Sequence, residues 1–258
     1  MAKVDKSQYT KEQWIVVRQQ RREAKLRHRQ EKLIESQTKE FAKDAAENPI
    51  TPPYNDSQRN HRAFVVGNGT SRASIDLAKL KQHGVMYGCN ALYREFEPDY
   101  LIAVDTKMIM EINRTGWHNT HEVWTNPNKS ISQFKGFNFF RPSKGWSSGP
   151  TALWFAAQHH YPEIYIIGFD YKGIGENNKF VNNLYAGTVN YKRTRDGATY
   201  FGNWLRQTRQ VIKENPQKTF YRVITSDNYR PPELNNFGNL QTIMVDDFKK
   251  KFGLPPSL

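Results

Sequence analysis

Small polar residues follow apolar runs at several places in this chain. Gly67-Asn68-Gly69-Thr70-Ser71 comes after Ala63-Phe64-Val65-Val66, Asn90 after Val85–Cys89, and Asp105 after Tyr100–Val104. Ser147-Ser148-Gly149 precedes an apolar helical stretch, and Asp170-Tyr171 ends the most apolar run, Glu163–Phe169. Glycines at 67 and 69 permit a sharp turn and a close approach of backbone to a ligand. Exposed amides where a helix begins favour an anion. The hydroxyls of Ser147 and Ser148 suit a phosphate or a ribose. A carboxylate at Asp105 or Asp170 can accept from ribose hydroxyls, bind magnesium or act as a base.

Each motif also has a plainer reading. Strand-to-helix turns use Gly and Asn for backbone reasons, and Ser and Asp cap helices, as expected of Ser71 for the helix after it. The first turn lacks the third glycine of a dinucleotide fingerprint, and no Walker lysine follows it. The pieces gain force together, because ligands of open α/β sheets bind beyond the carboxyl ends of the strands. The expected ligand is a nucleotide or another phosphate-bearing molecule.

Other chemistries find little support. The single cysteine, Cys89, excludes an internal disulfide and a thiolate zinc cage, and reads as a small buried hydrophobe. His118 and His121 lie three apart with no third ligand nearby, and no histidine follows His160. There is no Ser-His-Asp signature and no Gly-x-Ser-x-Gly elbow.

The elements that must position these residues alternate between strand and helix from about residue 62 to 230. Apolar strands are expected at 63–66, 85–89, 100–104, 122–125, 136–140, 163–169 and 220–225, with helices at 74–83, 107–113, 151–160 and 200–215. Residues 172–198 carry Gly, Asn and Lys without periodicity and read as a long loop or lid. The fold class is α/β: a Rossmann-like, doubly wound, mostly parallel sheet with a lid, plus an N-terminal basic helical arm.

The arm covers residues 1–47. Between Lys11 and Glu47 it has no Gly or Pro, and it is dense in helix formers and arginines. Thr10 is its expected N-cap. Residues 48–61 form a Pro-rich linker, 62–230 the nucleotide-binding domain, and 231–258 a C-terminal tail with a short helix around 246–251. The net charge of +13 and pI of about 9.7 favour anionic partners, so the arm is a candidate contact for nucleic acid or an anionic surface. No apolar run nears the ~20 residues needed to cross a bilayer. With the lone cysteine and no recognisable signal peptide, a cytoplasmic location is expected. Oligomeric state is open.

Over about residues 62–175, the pieces Gly67–Ser71, Gly88–Tyr93, Ser147–Gly149 and Glu163–Tyr171 fall in the order seen in bacterial sialyltransferases of the Campylobacter type. The chain also resembles the related sialyltransferase-like glycosyltransferases of bacteriophages. The resemblance implies a single Rossmann domain with a lid, a CMP-activated sugar donor and no metal or other cofactor. It implies that Gly67, Asn68, Gly69, Ser71, Asn90, Ser147, Ser148, Gly149, Asp170 and Tyr171 contact the donor nucleotide. Lid tyrosines of the family stabilise the departing phosphate, which points to Tyr171, Tyr185 and Tyr191. The family's base is a lid histidine, absent here, leaving Asp196 or Asp105 for that role. The first turn reads Gly-Asn-Gly-Thr-Ser in place of Gly-Asn-Gly-Pro-Ser.

The implied activity is transfer of a sugar from a nucleotide-sugar, CMP-sugar favoured, to a hydroxyl of a glycan or nucleic acid. Lys179, Lys192, Arg193 and Arg195 of the lid are candidates for holding phosphates. Two alternatives stand beside it. One is a non-catalytic protein of nucleotide-binding fold that works through its basic arm. The other is a magnesium-dependent enzyme resembling pterin pyrophosphokinases, through Pro98-Asp99-Tyr100 and Asp105, which requires Asp105 and Asp170 to lie close together.

Overall fold

A computed structural model describes residues 59–256, together with Thr10, Gln13 and Trp14. Thr10, Gln13, Trp14 and residues 141–144 belong to one unit, and residues 59–140 and 145–256 to another. In the first, Gln13 N donates to Thr10 Oγ1 (3.3 Å) and Thr10 N donates to Gln13 Oε1 (3.0 Å). Trp14 N donates to Thr10 O (2.9 Å). This reciprocal capping box is the helix start expected at Thr10. The rest of the arm, and the linker up to residue 58, lie outside the described residues. The last three residues assigned to the linker, Arg59–His61, form a 3-10 turn that runs straight into the first strand.

The second unit holds one eight-stranded sheet. Its strands are β1 (Arg62–Val66), β2 (Val85–Cys89), β3 (Tyr100–Ile102), β4 (Val123–Thr125), β5 (Asn138–Phe139), β6 (Glu163–Ile167), β7 (Thr219–Ile224) and β8 (Leu240–Met244). The order is β5-β4-β3-β2-β1-β6-β7-β8, and every pairing is parallel. The chain winds outward from β1 to β5, then returns to pair β6 with the free side of β1. That reversal makes the β1/β6 boundary the switch point of a doubly wound sheet.

Alternation within β1 directs its side chains to both faces, as a strand covered on both sides requires. Phe64 and Val66 join a cluster with Met86, Tyr165, Val223 and Phe248. The helices α1 (Leu77–Leu80) and α5 (Val245–Lys251) supply Leu77, Leu80, Val245 and Phe248 to that face. The other face carries α3 (Ser148–Gln158), which packs on β1, β2, β3 and β6 and against α4 (Gly202–Glu214). From Thr151 to Ala157 every residue of α3 is buried. A helix apolar all round belongs inside the protein. The remaining helix, α2 (Thr106–Thr115), turns Met108, Ile109 and Ile112 toward Leu101 and Val123.

Two expectations need correction. The helix expected at 74–83 contracts to α1 plus a 3-10 turn at Lys81–His83, and its cap is Asp76, which accepts from Lys79 N (3.0 Å), not Ser71. Residues 231–256, within the stretch expected as a tail, belong to the fold. They contribute β8, paired with β7 from Phe220↔Leu240 to Ile224↔Met244, and the expected helix, whose Phe248 is fully buried. β8 is an edge strand with only partial burial, so the alternation that reveals strands is weak there.

Candidate functional site

At the switch point the turns leaving β1 and β6 lie side by side. Gly67 N donates to Ile167 O (2.8 Å) and Gly69 N donates to Gly168 O (3.0 Å). A Cβ on Gly69 would fall 2.5 Å from Asp170 Oδ2 and 2.6 Å from Gly168 O. The glycines thus let two stretches of main chain cross. The amides of the first turn are also committed internally. Thr70 N donates to Asn182 Oδ1 (3.0 Å) and Ser71 N donates to Asp170 Oδ2 (3.1 Å). The exposed row of amides expected at this turn is therefore not there. Ser71 Oγ also donates to Asp170 Oδ1, so Ser71 anchors Asp170 and does not line the cleft described next.

Beyond these strand ends lies an open cleft of about 230 Å³. It is lined by Gly67, Asn68, Gly69, Asn90, Asp105, Ser147, Ser148, Gly149, Asp170 and Tyr171, which the sequence had singled out from distant stretches. It is also lined by residues that sequence reasoning missed, among them Phe169, Lys172, Asn182, Asn183 and Trp204. Asn182 and Asn183 arrive because the 172–198 loop is stitched to the first turn. Leu184 N donates to Asn68 O (2.8 Å), and Asn182 Oδ1 accepts from both Thr70 N and Thr70 Oγ1. An Asn-rich loop with no period gave no signal for this.

A relay of side chains organises the far wall. Ser148 Oγ accepts from Val104 N (3.1 Å) and donates to Asn90 Oδ1 (2.8 Å). Asn90, at φ 51°, donates through Nδ2 to Asp105 Oδ2 (3.3 Å). Asp105 occupies the N-cap position of α2 but makes no side-chain capping bond. Its exposed carboxylate is thus available to the cleft, whereas that of Asp170 is held by Ser71.

The helix α3 opens into the same cleft. Ser147 N donates to Gln207 Oε1 (3.2 Å), and Ser147 O accepts from Thr151 N (3.0 Å). The next amides, of Ser148 and Gly149, fall in the first helical turn, where no intrahelical acceptor exists, and both residues line the cleft. Pro150 has no N–H to satisfy at the third position. The helix runs for eleven residues, enough to carry a sizeable dipole. Across the cleft, Asn68 donates through Nδ2 to Tyr191 OH (3.2 Å), and its buried Oδ1 has no hydrogen-bond partner.

The phenols take other roles than expected. Tyr171 OH donates to Thr208 Oγ1 (2.8 Å), and burial pushes its pKa up to about 12. Tyr185 OH donates to Glu95 Oε1 (2.6 Å) and accepts from Arg72 Nη2 (2.9 Å); burial, then Glu95, raises its pKa. Tyr191 OH accepts from Asn68 and from Ala91 N (3.3 Å), and burial pushes it up to about 12. Tyr185 and Tyr191 lie outside the cleft lining, as struts between the loop and the sheet. The buried Arg72, whose Nε donates to Gly67 O (2.8 Å), was missed as the hub of this strut.

Asp196 also falls outside the cleft. It accepts from Arg193 N (2.8 Å) and pairs with the Arg193 side chain (3.6 Å) in an outer turn of the loop. Lys179, Lys192, Arg193 and Arg195 do not line the cleft either.

The pyrophosphokinase-like motif is structural at Asp99. Its buried Oδ2 accepts from Met86 N (2.8 Å) and Arg59 Nη2 (2.8 Å) at the amino end of β3. Asp105 and Asp170 do line one cleft, but among the described residues no group of three or more His, Cys, Asp or Glu is arranged to hold a metal ion. His118 stacks on Phe137 (4.3 Å) and His121 on Trp117 (4.0 Å), consistent with packing roles. Among the described residues no helix is long and apolar enough to cross a membrane.

No family model and no curated protein matches this chain. Among solved structures, a variant of the sialyltransferase CST-II in complex with CMP is similar at 14% identity, over 74% of this chain and 98% of that one, with a TM-score of 0.44. The sialyltransferase CstII from Campylobacter jejuni, in complex with the substrate analogue CMP-3FNeuAc, is similar at 14% identity over the same shares, with a TM-score of 0.37. At this identity the likeness is a structural resemblance only.

Proposed function

We propose that the protein is a glycosyltransferase that takes a nucleotide-sugar, a CMP-sugar before others, and passes its sugar to an acceptor hydroxyl. One observation carries the reading: a cleft at the switch point of a parallel sheet brings the free first-turn amides of α3 beside an uncapped carboxylate, Asp105. The amides of Ser148 and Gly149 suit a phosphate, since a helix start offers both donors and a favourable dipole. The same donors stabilise the charge that gathers on that phosphate as the nucleotide departs, while the hydroxyls of Tyr171 and Tyr185 donate to Thr208 and Glu95. Asp105 accepts the proton of the attacking hydroxyl, and Asn90 steadies its carboxylate. The hydroxyl oxygen bonds to the anomeric carbon as the bond from that carbon to the phosphate oxygen breaks. Asn68 lines the same cleft and contacts the nucleotide or the sugar.

Thermal stability of the full chain with CMP, UDP, GDP and ATP, each with and without magnesium, tests this. CMP at about a hundred times its dissociation constant should stabilise by about 2.7 kcal/mol without magnesium. A response to ATP alone, dependent on magnesium, would replace this reading with phosphoryl transfer. Silence with every nucleotide would leave a fold without a nucleotide site and end the proposal.

A further inference from the structure

The helix α4 carries its charge on one side. Leu205, Gln207, Thr208, Val211 and Ile212 are buried, and Trp204 lines the cleft. The outer side bears Arg206, Arg209 and Lys213, all exposed. Spacings of three and then four keep them in one narrow stripe, about 10 Å from end to end. Among the described residues none of the three forms an ion pair. The single acidic residue of the helix, Glu214, accepts from Gln210 Nε2 (2.8 Å). Like charges three and four residues apart on a helix repel one another. The stripe therefore weakens the free helix, and an anionic partner relieves that repulsion.

An aromatic platform stands at the head of the stripe. Gly202, four residues before Arg206, points along the same line, and a Cβ there would run into the Tyr200 ring. That ring thus takes the place of a side chain in the stripe, and it is 77% exposed. It stacks on Phe201 at 6.3 Å, and Phe201 meets the partly exposed Tyr229 at 5.9 Å. The acidic residues nearest these rings in sequence are engaged: Asp196 pairs with Arg193, and Asp227 accepts from Thr225 Oγ1 (2.7 Å).

Exposed rings in line with unpaired cations match a single-stranded nucleic acid, whose phosphates meet the charges while its unstacked bases lie on the rings. A duplex keeps its bases stacked on each other and offers Tyr200 no face. We infer that this side of α4 binds single-stranded nucleic acid, with phosphates along Arg206, Arg209 and Lys213 and a base on Tyr200. Backbone charge and stacking carry no sequence code, so the contact tolerates any sequence. The surface lies on the far side of α4 from Trp204 and the cleft. It is an anchoring surface, separate from the transferase reading and independent of it.

Fluorescence anisotropy of a labelled oligothymidylate with the full chain, over a range of salt, tests this. The triple variant Arg206→Ala/Arg209→Ala/Lys213→Ala loses three phosphate contacts. It should flatten the slope of log affinity against log salt by about 2. The same charge removed at Arg114, Lys129 and Lys135, which are exposed on the β4–β5 side, should leave the slope nearly unchanged. Tyr200→Ala should weaken binding about fivefold or more at the same slope, and Tyr200→Phe should restore it. Duplex affinity should not respond to Tyr200→Ala. Equal slopes for the two triple variants, or full affinity in Tyr200→Ala, would overturn the inference. So would loss of binding to phosphatidylserine vesicles in the α4 triple variant while oligothymidylate binding persists, which would make this face a membrane contact.

Discussion

The two rims of the sheet make a useful comparison, because both are rich in ionisable groups and the cleft described above opens at the carboxyl rim. At the amino ends of the strands, Asp99 joins Arg59 to Met86 N, while buried Lys218 donates to His159 O (2.5 Å) and Tyr161 O (2.8 Å). Tyr87 OH bonds His159 Nδ1 (2.7 Å) within a nest of rings that includes Tyr100, Phe155 and Tyr161. Burial first, then the Lys218 and His160 charges, lowers the pKa of His159 to about 4. At the carboxyl ends, the first amides of α3 and the exposed Asp105 carboxylate belong to residues that line a cleft. A polar group closed off by its neighbours contributes to stability; one left unmatched at an opening contributes to binding. Perturbed titration by itself does not separate the two, since the displaced His159 lies at the amino rim, away from the cleft.

The largest test of this contrast is Gly69→Ala. Its Cβ would meet the main chain at Gly168 and the locked Asp170, so the turns must separate. We expect a loss of about 3 kcal/mol in denaturant unfolding, with nucleotide binding lost alongside. An unchanged midpoint would mean that the turns do not cross as tightly as described. Next, Asp99→Ala removes the acceptor of a buried main-chain N–H and the carboxylate partner of Arg59. It should cost about 3 kcal/mol yet leave the nucleotide dissociation constant of the folded fraction unaltered. A selective loss of nucleotide affinity would break the division between the rims.

The third test uses pH. His159 is neutral in the fold, while the unfolded chain takes up a proton near the ordinary histidine pKa of about 6.5. The unfolded state therefore binds more protons between pH 6.5 and 4, and stability falls as pH drops through that window. The loss is on the order of 3 kcal/mol and should vanish in His159→Phe. Equal pH slopes for both proteins would remove His159 from the account. The smallest expected effect, and the sharpest on function, is Asn68→Ala. It should lower stability by under about 1 kcal/mol and weaken nucleotide binding about tenfold, or 1.4 kcal/mol. Binding at full strength would take Asn68 out of the site.

Much of the scaffold was legible because strands and helices are written in local patterns. The apolar runs within the five-residue strands β1, β2 and β6 and the unbroken burial of α3 from Thr151 to Ala157 follow from short-range periodicity. So did the convergence of Asn68, Asn90, Asp105, Ser148 and Asp170 on one rim, since any residue just beyond a strand in a parallel sheet must emerge there. Thr10 and Gln13 likewise wrote their own cap, because a capping box spans only four residues. β8 escaped because an edge strand covered on one side loses the apolar run that marks the inner strands.

What the sequence determined by itself was which side chains gather, because strand direction and spacing fix where each run ends. Which of them remain available was decided only by the tertiary structure. Ser71 and Asp170 are 99 residues apart and satisfy each other, while Asp105 has its cap position but not a cap bond. Gly69 meets the chain at Gly168, and Tyr185 is held by Arg72 from 113 residues away. Hydrogen-bond partners are chosen by distance in space across crossovers, and no local pattern records that choice.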